Sequence, residues 1–434
     1  MKRHLNTHAM GPFLLLWLTQ SFSTLGSSMT SFALVVWSYQ NSGSALTTAL
    51  LSVCSYAPYI LMSVFAGALS DRWDKKRVML FSDTFAACCT AAVLILLEGG
   101  GLRIWHLYLL NSLSGLMNTF QQPASEVAVS LLAPQDQYQK VGALRSLSNS
   151  LNSILAPALA SALFALAGLR VVILFDLATF LVAFGTLLFR IAIPPAPGAA
   201  GEGERLFRAA GAGLRYLREN RGILHLILFL AAINFTASVY NAALPALLLS
   251  PRGGGEQVYG IVNTVSGAAM LAGSFLAAIL PPPRSRVRVI CNALLLTMGT
   301  ENLLLALGRD LPVWCLGAIL GWVGIPIMNT NLDALMRGVI PIPMQGRVYS
   351  ARNTLQFFTI PLGYTLGGLL VDKLFEPLMA AQSPGALLAH LFGTGKGAGA
   401  ALLFLLLSLL GTVTCLVFRA DRRIWDLERG REGE

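Results

Sequence analysis

Long uncharged apolar runs alternate along this chain with short polar islands that carry most of its charged residues. A bilayer core about 30 Å thick takes roughly 20 apolar residues per helix. Prolines inside three of the runs are compatible with membrane helices, where neighbouring groups re-satisfy the freed carbonyl. The pattern predicts twelve transmembrane helices, at 12–37, 46–69, 78–97, 104–125, 142–166, 170–190, 223–249, 258–280, 288–307, 313–333, 348–371 and 398–418.

The positions of the basic residues give an independent test of these spans. With the amino terminus placed in the cytoplasm, 25 of the 31 lysines and arginines fall in predicted cytoplasmic segments and 6 in predicted outer ones. Such an excess of cations on one side is the positive-inside rule for membrane proteins. It predicts a multi-pass protein of the inner (plasma) membrane with both termini in the cytoplasm.

Composition excludes several other classes of protein. Hydrophobic residues make up 55% of the chain and charged residues 12%, about half the charged fraction of a soluble domain, which is about 25%. The net charge of +10 comes from cations beside apolar runs, so it does not indicate a nucleic-acid partner. The six cysteines lie inside apolar runs without metal-ligand spacing and are interpreted as small packing residues. No metal and no cofactor is predicted.

The longest internal polar segment divides the chain into two halves. It predicts a six-helix bundle at 1–190, a linker at 191–222, a second six-helix bundle at 223–418 and a cytoplasmic tail at 419–434. Within the linker, Leu206, Ala210, Leu214 and Leu217 share one helical face opposite arginines. This face indicates either an amphipathic helix on the cytoplasmic leaflet or a solvated linker helix.

The halves resemble each other at corresponding places. Met117-Asn118-Thr119 in the fourth predicted span is matched by Met328-Asn329-Thr330 in the tenth. A duplication of six helices is one recurring transporter architecture, with the substrate site between the repeats.

The loop after the second span reads Gly67-Ala68-Leu69-Ser70-Asp71-Arg72-Trp73-Asp74-Lys75-Lys76-Arg77. It resembles the signature loop of the major facilitator superfamily, which implies the fold of two six-helix bundles. In that family the aspartate lies against the start of the eleventh helix and helps to hold the cytoplasmic side shut. A carboxylate at a helix amino terminus stabilises it by about 0.3–1 kcal/mol. The resemblance implies that six residues of this loop have gating roles, whereas the alternative is that the cluster only sets the topology of the chain. These residues are Gly67, Asp71, Arg72, Lys75, Lys76 and Arg77.

A second motif lies in the fifth span, where Ala156, Pro157 and Ala160 are similar to the antiporter motif of the same superfamily, with other small residues in place of glycine. Small residues allow close helix contact. Across the chain the macrolide-efflux-type branch is the nearest resemblance. It rests on Gly43-Ser44-Ala45, Phe175-Asp176, Gly213 to Asn220 and Gly346-Arg347-Val348. This branch implies export of a drug, a macrolide-like antibiotic or a siderophore-like metabolite.

One departure from the family concerns proton coupling. Superfamily antiporters usually carry an arginine in the fourth span, whereas no arginine or lysine occurs here between Arg103 and Lys140. The candidates for coupling are therefore Glu126 and Asp333, near the cytoplasmic ends of spans four and ten, because ionisable groups in membranes are costly and often functional. The alternative is that both are interfacial, with Asp333 paired to Arg337 one turn on.

Two further acids lie deeper by sequence. Asp176 and Glu301 fall in spans six and nine, which are peripheral in the implied architecture. They are interpreted as structural residues.

The substrate cavity is expected between spans one, four, seven and ten. Polar and aromatic groups within these apolar helices suit an amphipathic ligand, although each group is also compatible with an interhelical hydrogen bond. The candidates are Gln20, Ser27, Asn111, Asn118, Gln121, Asn234, Phe235, Tyr240, Asn241 and Asn329.

Together these patterns predict a monomeric secondary transporter, embedded in the lipid bilayer, that exports a small molecule with protons as coupling ion. An importer or facilitator of a small metabolite is the alternative, and a membrane sensor a more distant one. An enzyme is not expected, because His106, His225 and His390 are isolated and no phosphate-binding Gly-x4-Gly-Lys loop occurs.

Overall fold

The computed structural model describes residues 7–133, 138–194, 215–281, 283–341, 348, 352, 355–383 and 385–429. Within these ranges every regular element is helical. The helices are α1 Thr7–Ser42, α2 Ala45–Arg72, α3 Lys75–Glu98, α4 Ile104–Leu132, α5 Tyr138–Phe189, α6 Arg221–Leu248, α7 Glu256–Ile279, α8 Arg286–Leu296, α9 Asn302–Leu307, α10 Leu311–Trp322, α11 Gly324–Val339, α12 Thr359–Leu369, α13 Glu376–Ala380, α14 Leu387–Phe392, α15 Ala398–Ala420 and α16 Arg422–Arg429.

Eight helical segments in the described part of the chain are long and apolar enough to cross a membrane. They cover nine of the predicted spans, because the segment Leu147–Phe189 contains both the fifth and the sixth. Gly168 separates these two within α5, since its φ of 72° breaks the helix there. The first and fourth predicted spans lie in α1 and α4, and α12 holds part of the eleventh. The predicted all-α membrane protein is confirmed.

The chain folds into two compact units. Unit 1 comprises Met1–Trp37 and Leu51–Glu202, and unit 2 comprises Ser38–Leu50 and Gly203–Glu434. The last turn of α1 and the first turns of α2 thus belong to unit 2. The domain bounds expected from the sequence stay a prediction.

The interior of unit 1 is built where α1 packs on α5. Leu25, Met29 and Ala33 of α1 contact small and branched residues of α5. Small side chains at this contact allow the helices to approach closely. The buried α5 residues in this cluster are Ala156, Ala160, Leu169, Val172 and Ile173.

The interior of unit 2 is built around α6, the helix with the most buried side chains among those described. Phe229 of α6 stacks on Phe418 of α15 with ring centroids 4.8 Å apart. Leu217, in the helical turn at 215–219, and Ile424 of α16 are fully buried in the same cluster. The end of the linker and the tail helix therefore pack on this core. The other predicted face residues of the linker lie outside the described residues.

Candidate functional site

The predicted gating residues lie at the end of α2 and at the start of α3. Gly67, Asp71 and Arg72 lie in the last turns of α2, and the side chains of that stretch lie outside the described residues. Lys75 is buried, and the Arg77 side chain is exposed. The carboxylate of Asp74 caps α3 by accepting from the backbone N–H of Arg77 at 2.8 Å.

Lys76 has a structural contact of its own. Its Nζ donates to the carbonyl oxygens of Leu188 at 3.0 Å and Ile191 at 2.7 Å. These carbonyls lie at the end of α5, where a cation is stabilised by the negative end of the helix dipole. Lys76 therefore holds the end of α5 within unit 1.

The antiporter-like motif lies in the first part of α5. Ala156, Pro157 and Ala160 are all buried, and the two alanines contact the core that includes Leu25 and Met29 of α1. The motif is a packing surface between α5 and α1.

The structure describes the side chain of only one of the two candidate coupling acids, Asp333. Glu126 lies in α4, and its side chain lies outside the described residues. Asp333 of α11 is 57% exposed and lies 3.8 Å from the guanidinium of Arg352. Among the described side chains it forms an ion pair with Arg352. The alternative pairing with Arg337 stays a prediction, because the Arg337 side chain lies outside the described residues.

Asp83 of α3 joins three helices of unit 1. Its Oδ2 accepts a hydrogen bond from Gln20 of α1 at 3.2 Å, and its Oδ1 accepts one from Gln121 of α4. Both donors are neutral amides, so they satisfy the carboxyl oxygens without neutralising a charge.

Asp176, in the second part of α5, forms a second acidic site in unit 1. The side chain is 4% exposed, and its Oδ1 accepts from Ser27 Oγ of α1 at 3.0 Å. Gly26 allows this approach, because a Cβ atom there would lie 2.9 Å from the Asp176 Cα and 2.4 Å from Thr179 Oγ1.

Glu301 forms the acidic site of unit 2. The residue is 4% exposed. Its Oε1 accepts from the Tyr240 hydroxyl of α6 at 2.7 Å and from the Trp322 indole N–H of α10 at 2.9 Å. Glu301 ends a π-helical turn, Thr297–Glu301, that links α8 to α9. The carboxyl group thus connects three neighbouring segments of the unit through uncharged donors.

The chain matches a known family of transporters over most of its length. The family model of the Major Facilitator Superfamily matches residues 16–364. The chain belongs to this superfamily.

Relatives within the superfamily include efflux proteins. Macrolide efflux protein A of Streptococcus pyogenes is 24% identical over 369 residues, covering 83% of this chain and 90% of that protein. The multidrug efflux pump Tap of Mycolicibacterium fortuitum is 24% identical over 400 residues, covering 87% of this chain and 94% of the pump.

Solved structures of the superfamily have the same fold. A variant of the nucleoside transporter NupG matches with a TM-score of 0.73 at 13% identity, covering 94% of this chain and 99% of that one. A bacterial homologue of the iron transporter ferroportin, in an inward-facing state, matches with a TM-score of 0.66 at 17% identity, covering 94% and 98%. The major facilitator fold expected from the sequence is confirmed.

The residues predicted to line the substrate cavity fall into two groups. Gln20, Gln121, Ser27 and Tyr240 donate to the acids described above. The side chains of the second group are half-buried or exposed: Asn111, Asn118, Asn234, Phe235, Asn241 and Asn329. The first group therefore has interhelical partners within its own unit.

Asp83 is a site residue that the sequence reasoning missed. It lies inside the third predicted span, where any ionisable residue is a functional candidate. Applying that rule to all spans, rather than only to those expected to line the cavity, would have found it.

Charged side chains outside the spans satisfy the ends of helices in unit 2. Asp372 accepts from Ser44 Oγ at 2.5 Å and from the backbone N–H groups of Ala45 and Leu46 at 2.9 Å, at the start of α2. Glu376 accepts from the N–H of Gly397 at 2.9 Å, at the start of α15. Partial burial raises the pKa of Glu376 above its ordinary value.

A further cluster joins the start of α6 to the tail. His225 Nδ1 bonds the Asp421 carboxylate, while the Arg423 guanidinium donates to His225 Nε2 at 2.9 Å. Since guanidinium is donor-only, Nε2 accepts and Nδ1 carries the proton given to Asp421. Burial opposes ionisation of Asp421, but the bonds from His225 and the Arg423 N–H outweigh it and lower the pKa of Asp421.

Proposed function

We propose that this chain is a proton-coupled exporter of a small amphipathic compound, such as a drug, a macrolide-like antibiotic or a siderophore-like metabolite. The observation that carries the proposal is the similarity to two efflux proteins over 83% and 87% of the chain. Similarity over this length covers both halves of the transporter rather than one shared motif. The proposed exporter works as a monomer by alternating access, and the cation bias supports a topology with both termini in the cytoplasm.

The chemistry of the helices supports a proton as the coupling ion. Asp83, Asp176 and Glu301 lie within predicted spans and accept hydrogen bonds from neutral side chains. Burying an ionised carboxylate without a cation is costly, so acids in such places exchange protons as their surroundings change. Glu126 and Asp333 remain proposed coupling residues, and the loop at 67–77 remains the proposed cytoplasmic gate.

The proposed substrate class follows from the residues that remain for a ligand. Amide side chains of Asn118, Asn241 and Asn329 are exposed on α4, α6 and α11. A few hydrogen-bonding groups among aliphatic and aromatic side chains fit a ligand that is largely apolar with some polar groups.

The experiment is an efflux assay in a bacterial strain that lacks its own drug pumps. Expression should lower erythromycin accumulation and raise the concentration needed to stop growth. A protonophore should abolish the difference, because it removes the driving force. Glu126→Gln and Asp333→Asn should lose efflux, because they remove the proposed coupling acids. Asp310→Asn is the matched control and should retain efflux, since Asp310 is an exposed carboxylate at the start of α10. Higher erythromycin accumulation in expressing cells would instead indicate an importer and would contradict the proposal.

A further inference from the structure

The acidic site of unit 2 brings together more groups than a single contact between two helices requires. Glu301, Tyr240 and Trp322 come from three segments, and both hydrogen bonds converge on the single oxygen Oε1. The Tyr240 ring also packs edge-on against Phe404 at a centroid distance of 5.4 Å. The carboxyl group therefore lies within an aromatic enclosure.

No cation balances Glu301 within the part of the chain that the structure describes. The ion pairs found there join other residues. An ionised carboxylate in an apolar interior without a cation costs several kcal/mol, on the order of the penalty for any buried ion. Two hydrogen bonds to neutral donors offset only part of that cost. The enclosed state therefore favours the protonated, uncharged carboxyl group.

The surrounding groups are compatible with both protonation states. A tyrosine hydroxyl can donate to a carboxylate or accept from a carboxylic acid, whereas an indole N–H only donates. Oε1 can accept from Trp322 in either state. Oε2 is the oxygen left to carry a proton, and it lies over Gly321, where an added Cβ would come within 2.0 Å of it. The absence of a side chain at Gly321 leaves the space that Oε2 occupies.

The backbone at this place is also unusual. Glu301 ends the π-helical turn Thr297–Glu301, and such turns inside α-helices often occur at functional sites. Thr297 Oγ1 donates to the carbonyl oxygen of Gly321 at 2.9 Å, so both ends of the turn are bound to the same stretch of α10. A shift of the turn relative to α10 would therefore change the hydrogen bonding of Glu301 directly.

We propose that Glu301 is a proton-binding site of the transport cycle, protonated while Tyr240 and Trp322 enclose it and deprotonated when the contact with α10 opens to water. The step is a proton transfer between the Glu301 carboxyl group and water, with no other bond made or broken. The use of this proton to drive efflux rests on the proposed function, but the binding of the proton does not.

Glu301 is a better candidate than the acids of unit 1. Asp83 is only half-buried. Asp176 is as buried as Glu301, at 4% exposed, but its hydrogen-bond donor Ser27 is itself exposed. Glu301 is almost fully enclosed, with partners on α6 and α10. These helices correspond to two of the spans expected to line the substrate cavity.

The direct test is infrared difference spectroscopy on the purified full-length protein in lipid nanodiscs, titrated with acid and base. Wild type should show the C=O stretch of a protonated carboxyl group in an apolar site, and Glu301→Gln should lose the part of this band that Glu301 contributes. The amide oxygen of glutamine still accepts from Tyr240 and Trp322, so the fold should survive. Asp310→Asn should retain the band. Tyr240→Phe should keep it but displace the pH at which it titrates, which gives a second readout if Glu301→Gln does not fold.

The outcomes separate this inference from the proposed function. A band that persists unchanged in Glu301→Gln, or that Tyr240→Phe does not displace, would overturn the proton site even if efflux is found. Loss of the band supports the proton site even if erythromycin is not transported.

If both ideas hold, Glu301→Gln vesicles should still exchange erythromycin across the membrane. Their uptake driven by a pH gradient should fall to the level without a gradient. Gradient-driven uptake that matches wild type would contradict a role of Glu301 in coupling.

Discussion

At the scale of single residues, the acids within the spans are held by neutral donors. Gln20 and Gln121 bond Asp83, Ser27 bonds Asp176, and Tyr240 bonds Glu301. The sequence identifies these donors as polar groups within apolar helices. It cannot show whether they bond a ligand or a neighbouring helix, because spacing fixes the face of a helix but not its partner.

Removing the Glu301 carboxyl group should destabilise unit 2. In Glu301→Ala the Tyr240 hydroxyl and the Trp322 indole lose their acceptor in a buried place, at a cost of about 1–3 kcal/mol for each unsatisfied group. Thermal unfolding of the purified protein measures the change. Glu301→Gln, which keeps an acceptor oxygen, should unfold near the wild-type temperature. Equal loss in both variants would contradict the enclosed, hydrogen-bonded carboxyl group.

The space beside Glu301 leads to a prediction about Gly321. An alanine Cβ there would lie 2.0 Å from Glu301 Oε2 and 2.4 Å from its Cδ, so the carboxyl group must move. Overpacking of this kind typically costs about 1–3 kcal/mol. Gly385→Ala is the control, because nothing lies within 4 Å of a Cβ added at Gly385. Similar unfolding temperatures for the two variants would count against the enclosed site.

At the scale of elements, charged side chains accept hydrogen bonds from backbone N–H groups at helix ends. Lipid tails cannot accept these hydrogen bonds. The first backbone N–H groups of α2 bond Asp372, and those at the start of α15 bond Glu376. Unsatisfied backbone groups are costly wherever water is excluded. The apolar periodicity predicts where the helices lie, but these caps join segments distant in sequence. Pairings at that separation leave no local pattern.

The cap on α2 can be tested by hydrogen exchange. Asp372→Ala should speed deuterium uptake in the peptide that covers 44–48, because the N–H groups of Ala45 and Leu46 lose their acceptor. Loss of an amino-terminal cap costs about 0.5–2 kcal/mol. Asp310→Ala is the matched control, since Asp310 stands at the cap position of α10 without a side-chain cap bond. Unchanged uptake at 44–48 would show that Asp372 does not hold this helix end.

The tail cluster predicts a dependence of stability on pH. Because the folded pKa of Asp421 is lowered, its contribution is present above the unfolded value of about 3.9. It is lost as the pH falls through the lower folded value. Wild type should therefore exceed Asp421→Asn in unfolding temperature near neutral pH, and the two should converge in acid. A difference that stays constant with pH would contradict the hydrogen-bonded carboxylate.

At the scale of the whole molecule, the fold follows closely from the sequence. Apolar runs and the bias of 25 cations against 6 predict the membrane helices, and the match at 16–364 shows the superfamily. The functional residues follow less closely. Sequence position favours Glu126 and Asp333 for coupling. The structure adds Glu301, a 4% exposed acid that accepts hydrogen bonds from two neutral donors and lies on a span interpreted as peripheral. Position among the spans did not predict that enclosure.

The central claim is that efflux is coupled to protons, and the most direct measurement is proton movement caused by the substrate. Purified protein is reconstituted in liposomes that contain a pH-sensitive dye, and erythromycin is added on one side. Coupling predicts a change of internal pH that is absent from empty liposomes and abolished in Glu301→Gln. Erythromycin transport with no accompanying change of internal pH would contradict it.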